Sequence, residues 1–464
     1  MAQKPSILAG TRDILPEVAL RRKYIFSTIE KVFQKYGYSP IETPAMEKLS
    51  VLLGKYGEEG DKLIFKLLNS GDYLSKRGKR IVEAEDLEKG EKHLTPLLTE
   101  KGLRYDLTVP FARFVVMNQN ELTFPFRRYQ IQPVWRAERS QKGRYREFFQ
   151  CDADVVGSDS LLFESEFLAI YDEVLSKLGL TSFTIQISNR KILNGFAEVI
   201  GQADKFMDIC VAIDKLDKIG KDGVQNELAN RGVPAESAEK LFELITVEGT
   251  NEEKIAFLES RFGETEVGMK GLQELNEVLN MYASFPTWKG EVSFSPTLAR
   301  GLNYYTGTIF EVQSNEVKIG SIASGGRYDD LTGVFGREGL SGVGISFGAD
   351  RINDVMAELS LIEALPSSST QVLLINFGKE YLSQNLSIVN TLRSADISAE
   401  LYADAAKLKK QFSYANKKKV HFTIMVGEEE ATQGILQLKN MDTGEQKTLK
   451  EAELVAVLRE GMKA

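Results

Sequence analysis

Residues 126–156, FRRYQIQPVWRAERSQKGRYREFFQCDADVV, limit the possible fold more than any other stretch of the chain. Along the second half, Phe149, Cys151, Ala153 and Val155 share one face, and Phe148, Gln150, Asp152 and Asp154 share the other. Along the first half, Tyr129, Ile131 and Trp135 oppose Arg128, Gln130, Gln132, Arg136 and Glu138. A two-residue period is that of a strand with one buried face, so the stretch predicts two strands joined by a charged loop. The second face carries Arg, Glu, Phe, Gln and Asp, a set suited to a small charged ligand with a flat ring. The pattern alone leaves two readings open: a solvated antiparallel hairpin, or the floor of a site.

At 464 residues the chain is too long for one core and predicts two to four domains. No apolar run approaches a membrane span, and the opening MAQKPSILAG lacks the apolar core of an export signal, so a cytoplasmic location is expected. Two cysteines, Cys151 and Cys210, make neither a disulfide framework nor a zinc cluster. Two histidines, His93 and His421, argue against a metal-hydrolase site and a His-based triad. Carboxylates, tyrosines, substrate or water must carry any acid–base chemistry. A net charge of −8 does not point to nucleic acid, so any such binding must come from local patches.

Taken in order, the GTRDILP loop leads into a helix from about Val18 to Tyr36, with Ile25, Ile29, Val32 and Phe33 at helix-face spacing. YSPIETPAM predicts a short strand with Pro44 at its edge or end, and LIFKLL another. The stretch SGDYLSKRGKRIVEAEDLEKGEKH carries charges of both signs and predicts a solvated loop. In GLRYDLTVPFARFVVMN a strand gives way to a helix opened by Pro110. Asp106, between them, can cap that helix or hold an ammonium group, and spacing leaves both open. Residues 161–180 predict an amphipathic helix, and 192–284 read as a helical insertion. Strands resume at EVSFSP, and Gly342, Gly344 and Gly348 allow a close backbone approach before a helix at Ala349. EALPSSSTQ (363–371) predicts a linker, and 372–464 a separate α/β domain with alternating strands and helices.

The polar groups at strand ends and on ligand-like faces are Asp106, Arg136, Glu138, Arg144, Gln150, Asp154, Arg300, Tyr304, Tyr305 and Arg351. Arginines without histidine suit phosphate oxygens, and acids in the same site suit a cationic substrate. A reaction between a carboxylate and a phosphate needs such a cluster, because fixed positive charge must bring two anions together.

These residues also carry a family resemblance over nearly the whole chain. WRAERSQKGRYREFFQCD resembles the second signature motif of class II aminoacyl-tRNA synthetases, and is similar to that of the histidyl-tRNA synthetase family in particular. LARGLNYYTGTIFE and ASGGRYDDL resemble the two motifs peculiar to that family. GVGISFGADRI resembles the third class II motif, and YGYSPIETPAME the first, with Pro44 as its proline. KLKKQFSYANKKK and GEEEATQG resemble the anticodon-binding domain, and LRYDLT resembles the form seen in eukaryotic members. Two departures stand out: Asn303 where the family has Asp, and Ser140 where a proline is common.

The resemblance implies a fold: an α+β catalytic domain with a mainly antiparallel sheet over residues 1–365, interrupted by the helical insertion at 192–284. A C-terminal α/β anticodon-binding domain follows at 372–464. It implies a histidine–tRNA ligase that uses ATP with Mg2+, holds no tightly bound metal or organic cofactor, and works as a homodimer off the membrane. Its partners are L-histidine, ATP and the tRNA for histidine. By the same resemblance Asp106 and Thr108, with Gln150, would hold the substrate α-amino group, while Asp154 and Tyr305 would contact the imidazole in a pocket lined by Tyr304. Arg136 would bridge carboxylate and α-phosphate, and Arg300 would stand on the α-phosphate as the catalytic arginine. Phe148 and Arg351 would sandwich adenine, Glu138 would read its amino group, and Arg144 would grip the terminal phosphates. The alternative is a histidine-binding regulatory paralogue, a subunit of the first histidine-biosynthesis enzyme. That paralogue typically lacks the C-terminal domain and loses motif residues, whereas this chain has both the domain and Arg300.

Overall fold

In the computed structural model, which describes residues 4–462 except 77–78, 142, 288, 300–304, 363–364 and 366–367, the alternating stretch forms the hairpin its period requires. Strands β2 (Phe126–Trp135) and β3 (Glu147–Val156) pair antiparallel along their full length, from Phe126 opposite Val156 to Trp135 opposite Glu147. Cys151, Ala153 and Val155 point into the core as expected. The chain divides into two compact units, Met1–Asp13 with Tyr24–Glu363, and Ile14–Lys23 with Ala364–Ala464.

The first unit is built on one eight-stranded sheet. Besides β2 and β3 it contains β1 (Ser39–Pro40), β4 (Phe183–Asn189), β5 (Glu291–Phe294), β6 (Thr308–Ser314), β7 (Ala323–Tyr328) and β8 (Gly342–Gly348). Their order is β1-β2-β3-β8-β7-β6-β4-β5, antiparallel except for the parallel edge pairs β1–β2 and β4–β5. The hairpin is therefore not a free ribbon. Strand β3 is central, paired with β2 on one side and β8 on the other.

Helix α1 (Pro16–Lys35) buries Ile25, Ile29, Val32 and Phe33, the four residues its periodicity singles out. Helix α2 (Thr108–Asn118) starts two residues before Pro110. Helix α3 (Leu162–Lys177) is buried along nearly all its length. A run of helices follows: α4 (Arg190–Val199), α5 (Phe206–Ile213), α6 (Leu216–Asn230), α7 (Ala235–Ile245), α8 (Asn251–Phe262) and α9 (Glu266–Tyr282). The Asn189 side chain fixes the start of that run by accepting from the Lys191 amide at 2.9 Å, a helix N-cap. Helix α10 (Ala349–Glu358) leaves directly from β8.

Two local expectations are corrected. LIFKLL yields only the two-residue strand Lys66–Leu67, paired with Lys101–Leu103, because Ile64 turns into an adjacent apolar cluster instead of joining a ladder. The charged stretch after Ser70 is not a plain loop. It holds a short hairpin (Ser75–Lys76 with Lys79–Arg80) and the helices Ala84–Glu88 and Glu91–Leu98. The first of these helices starts with Glu83 and Asp86 capping each other's backbone, a local signal that the charge pattern hid. Part of the expected 363–371 linker lies outside the described residues.

The second unit carries a mixed five-stranded sheet, β10-β9-β11-β12-β13. The strands are β9 (Val372–Leu374), β10 (Ala399–Leu401), β11 (Phe422–Met425), β12 (Ile435–Asn440) and β13 (Gln446–Lys450). Strands β9, β10 and β11 run parallel, and β12 and β13 close the sheet as an antiparallel hairpin. Helices α11 (Leu382–Ser394), α12 (Leu408–Lys417) and α13 (Glu451–Gly461) accompany it. Its core, which includes Val372, Leu374, Ile388, Leu392, Ile424 and Leu458, is its own.

Candidate functional site

Above the β3–β8 centre of the sheet lies a cavity of about 370 Å³, lined by Asp106, Thr108, Arg136, Glu138, Arg144, Phe148, Gln150, Tyr305 and Arg351 among others. The structure thus brings together most of the residues picked out from sequence. A smaller adjoining cavity of about 20 Å³ is lined by Asp152 and Asp154, and it shares Thr108 and Tyr305 with the larger one. Arg300, Asn303 and Tyr304 lie outside the described residues.

One end of the cavity is cationic. Arg136 donates from Nε to the Tyr105 carbonyl at 3.2 Å and lies over the Phe148 ring, 5.1 Å from its centroid. Arg144 sits 3.5 Å from Glu138 across the β2–β3 connection. Arg351, on the first turn of α10, donates to the Gly143 carbonyl at 3.0 Å and to the Ser321 carbonyl at 2.6 Å. Burial first, then the charges of Arg144 and Arg136, lower the Arg351 pKa. Three guanidinium groups around one cavity are a ready receptor for a polyanion.

The other end is anionic. Asp106 serves the helix with one oxygen only. Its Oδ1 accepts from the Val109 amide at 3.1 Å and from the Tyr56 hydroxyl at 2.8 Å. Its Oδ2 is buried without a hydrogen-bond partner among the described residues, on a residue that lines the cavity. Burial raises the Asp106 carboxyl above its ordinary value, and the Val109 and Tyr56 bonds pull it partly back. Gln150 donates to the Ser346 hydroxyl at 3.0 Å, while its Oε1 has no partner among the described residues.

Asp154 has an ion pair on one oxygen and a hydrogen bond on the other, and its Oδ2 makes no hydrogen bond among the described residues. Arg128 lies 2.6 Å from its Oδ2, and the Tyr328 hydroxyl donates to its Oδ1 at 2.7 Å. Opposite Asp154 in the ladder is Gly344, where a Cβ would come within 2.0 Å of Asp154 Oδ1. The glycine is needed there for space, not for backbone freedom.

Sequence reasoning missed several supporting residues. Arg128 and Asp152 already lay on the polar side of the alternation, and Tyr328 belongs to the GGRYD segment; those signals were available. Tyr56 and Asp350 gave none. Asp350 pairs with Arg12 of the GTRD loop and accepts from the Phe149 amide at 3.3 Å, and Arg12 stacks over the Tyr145 ring at 3.5 Å. Not all of the polar face of β2 belongs to the site. Gln130 and Gln132 bond each other at 2.5 Å, and they join Thr43 and the buried Arg104 in a network that holds β2 to the preceding segment.

In the second unit, Tyr402, Lys407, Lys409, Lys410, Ser413, Tyr414 and Lys417 line an open groove of about 530 Å³ along α12. Phe412 does not line it and instead lies under Lys439, 5.1 Å from its ring centroid.

Two family models match the chain: one described as "Histidyl-tRNA synthetase" over residues 10–78 and 98–352, and one described as "Anticodon binding domain" over residues 371–461. A histidine–tRNA ligase of Bacteroides fragilis (strain YCH46) is 55% identical over 458 residues, covering 99% of this chain and 100% of that protein. The crystal structure of histidyl-tRNA synthetase from Nostoc sp. PCC 7120 superposes with a TM-score of 0.83 at 31% identity, covering 99% of this chain and 100% of that one. A Bacillus halodurans structure titled as an ATP phosphoribosyltransferase regulatory subunit/histidyl-tRNA synthetase shares the fold alone. Its TM-score is 0.69 at 22% identity, over 91% of this chain and 99% of that one.

Proposed function

The chain belongs to the histidyl-tRNA synthetase family and carries its histidine–tRNA ligase activity, and from that premise we propose how its cavities divide the work. Relatives over half identical along their whole length bear the ligase name, which sets the regulatory-subunit alternative aside. The observation that supports the assignment of roles is the polarity of the cavity, with three guanidinium groups and an aromatic ring at one end and buried carboxylates at the other.

Histidine lies at the carboxylate end. Asp106, Thr108 and Gln150 hold its α-ammonium, and Asp154 and Tyr305 face the imidazole, with Tyr304 in the same pocket. ATP enters as its Mg2+ salt at the cationic end. Phe148 and Arg351 hold the adenine, Glu138 reads its amino group, and Arg144 takes the terminal phosphates. Arg136 bridges the amino acid carboxylate and the α-phosphate, with Arg300 on the other side of that phosphate. The carboxylate attacks the α-phosphate in line and pyrophosphate leaves. Positioning and stabilisation of the developing phosphoryl charge do the catalysis. The 3′ hydroxyl of the tRNA terminus then takes the acyl group, with a phosphate oxygen of the adenylate as proton acceptor.

The groove along α12 in the second unit supports a role as the tRNA anticodon contact, through phosphate neutralisation by Lys409, Lys410 and Lys417 and stacking on Tyr414. The helices between Arg190 and Tyr282 face the acceptor arm in this reading, and the active form is a cytoplasmic homodimer. No helix among the described residues is long and apolar enough to cross a membrane.

Pyrophosphate exchange across the amino acids, followed by charging of purified tRNA, tests the reading. Exchange should need histidine. Arg300→Ala should lower exchange by roughly a hundredfold or more, the scale of losing one donor to a developing oxyanion. Wild-type rates in that variant would remove Arg300 from its role. Replacing Lys409, Lys410 and Lys417 by Ala should spare exchange, weaken charging and reduce its salt dependence. Unchanged charging would move the tRNA contact elsewhere.

A further inference from the structure

The imidazole end of the site holds one carboxylate more than its arginine can neutralise. Asp152 and Asp154 stand two residues apart on the same face of β3, both buried, and both line the small cavity beside Tyr305. Asp154 pairs with Arg128 at Oδ2 and accepts from Tyr328 at Oδ1, and its Oδ2 makes no hydrogen bond among the described residues. Asp152 has no ion-pair partner of its own among the described residues, and its Oδ1 is likewise buried without a hydrogen bond. Its ladder neighbours are Gln130 on β2 and Ser346 on β8, neither of them charged. Among the described residues the charged and titratable groups around it are Arg128 from β2, Asp154 from its own strand, Asp106 just before α2, Tyr171 from α3, Tyr328 from β7 and Tyr305. Tyr171 is buried too, and its hydroxyl has no partner among the described residues. With both carboxylates ionised and Arg128 as the one adjacent cation among the described residues, their charges leave the pocket floor one positive charge short. An unpaired buried charge is costly, so the floor demands either a proton or a cationic ligand.

We propose that Asp152 is a specificity-determining residue of the amino acid pocket: it accepts the second ring N–H of the substrate, so that histidine binds as the imidazolium between Asp152 and Asp154. This rests on the reading of the cavity as the histidine site. An imidazolium donates from both ring nitrogens, whereas neutral imidazole offers one donor and one acceptor. Two carboxylates flanking one ring select for two donors in a plane. Glutamine and asparagine carry both donors on one uncharged nitrogen, and a ring-methylated histidine keeps only one N–H, so none presents a cation with donors on opposite sides of a ring.

The pocket carries a proton to match. Burial, with a further contribution from Asp154, pushes the Asp152 carboxyl up to about 7, although Arg128 and the Ser346 hydroxyl pull it down. Free imidazole titrates at about 6.5. The complex holds the titratable proton on the ring, which is then protonated on both nitrogens, and none on Asp152. Below both values the empty site must release a proton to bind. Above both, free histidine must gain one. Affinity is therefore greatest near neutrality and falls about tenfold per pH unit once both groups have lost their protons.

The test is histidine-dependent pyrophosphate exchange between pH 6.5 and 8.5 with the full chain and with Asp152→Asn. In the wild type, KM for histidine should rise about tenfold between pH 7.5 and 8.5. In Asp152→Asn, KM for histidine at pH 7 should be at least about tenfold higher, with kcat and KM for ATP nearly unchanged, the mark of lost ground-state binding. The alkaline rise should also disappear. An Asp152→Asn variant with the wild-type KM and the same alkaline rise overturns the inference and leaves the histidine reading standing. A wild-type chain without histidine-dependent exchange overturns both. NMR of ring-15N histidine bound to the wild type needs no variant. Two protonated ring nitrogens at pH 7.5 support the inference, and a neutral tautomer overturns it.

Discussion

Arg12 and Asp350 stand 338 positions apart in the chain and form an ion pair at the edge of the cationic end of the cavity. Arg12 also covers the ring of Tyr145 in the β2–β3 connection, and Asp350 also holds the Phe149 amide. One pair thus links the N-terminal loop, the connection and the first turn of α10, where Arg351 begins its reach into the cavity. Neither residue needs to touch a substrate to matter. Arg12→Ala should leave the fold intact and raise KM for ATP by about 5- to 30-fold, the equivalent of about 1–2 kcal/mol. KM for histidine should change little. ATP and histidine titrations of pyrophosphate exchange separate the two effects, and equal changes in both would deny the pair its local role.

Gly344 and Asp154 give the opposite selectivity. A methyl group at 344 has no room beside the Asp154 carboxylate, itself fixed by Arg128 and Tyr328. Gly344→Ala should displace Asp154 and raise KM for histidine by about tenfold or more, by analogy with losing a polar group that reads the substrate. KM for ATP is the internal control.

Tyr56 sets a pH limb. Asp106 must be ionised to hold an ammonium group, yet burial raises its pKa, and the Tyr56 hydroxyl opposes that rise. Tyr56→Phe removes a donor to the charged form, so the carboxyl moves higher still. The acid limb of kcat/KM for histidine should shift to higher pH, with rates converging on wild type at alkaline pH. The stability term has its own sign. A carboxyl raised in the folded chain binds more protons folded than unfolded, so its contribution is lost as pH rises through the folded value. Urea midpoints measured across pH should show that loss.

Arg327 of the GGRYD segment has a structural task. It donates from Nε and Nη2 to the buried Glu164 of α3, at 2.5 and 2.7 Å, and from Nη1 to the Ser341 hydroxyl at 2.6 Å. Arg327→Met would leave Glu164 as an uncompensated buried charge and should destabilise by about 3–5 kcal/mol. The double variant with Glu164→Leu should recover much of that loss, read as a denaturation midpoint. Failure to recover would place the cost in the serine contacts instead.

These positions mark what a sequence can disclose. The hairpin, its faces and the helix at Ala349 follow from short-range periodicity, so Arg136, Phe148, Gln150 and Asp154 could be placed on one surface beforehand. The division of Asp106 into one bonded and one unbonded oxygen could not, because it depends on Tyr56, 50 positions away, meeting one of two chemically identical oxygens. Arg12 and Asp350 are joined only by the folded chain. Arg128 and Asp152 were visible on the right face, but nothing in their spacing separates them from Gln130, which bonds to Thr43 and Gln132. Burial and charge balance make that distinction.

The placement of β3 between β2 and β8 has one more consequence. Phe148 and Asp154 lie on one face of one central strand, six residues apart, a span of roughly 20 Å at about 3.3 Å per residue. The strand is a ruler between the two ends of the cavity, and its graduations are peptide units that ladder bonds hold on the β2 side throughout and on both sides from Gln150 onward. Loop movements around the cavity cannot stretch it. An amino acid with one extra carbon would carry its carboxylate past the α-phosphate however well its side chain fitted, and a one-residue insertion in β3 would turn every reading residue beyond it into the core.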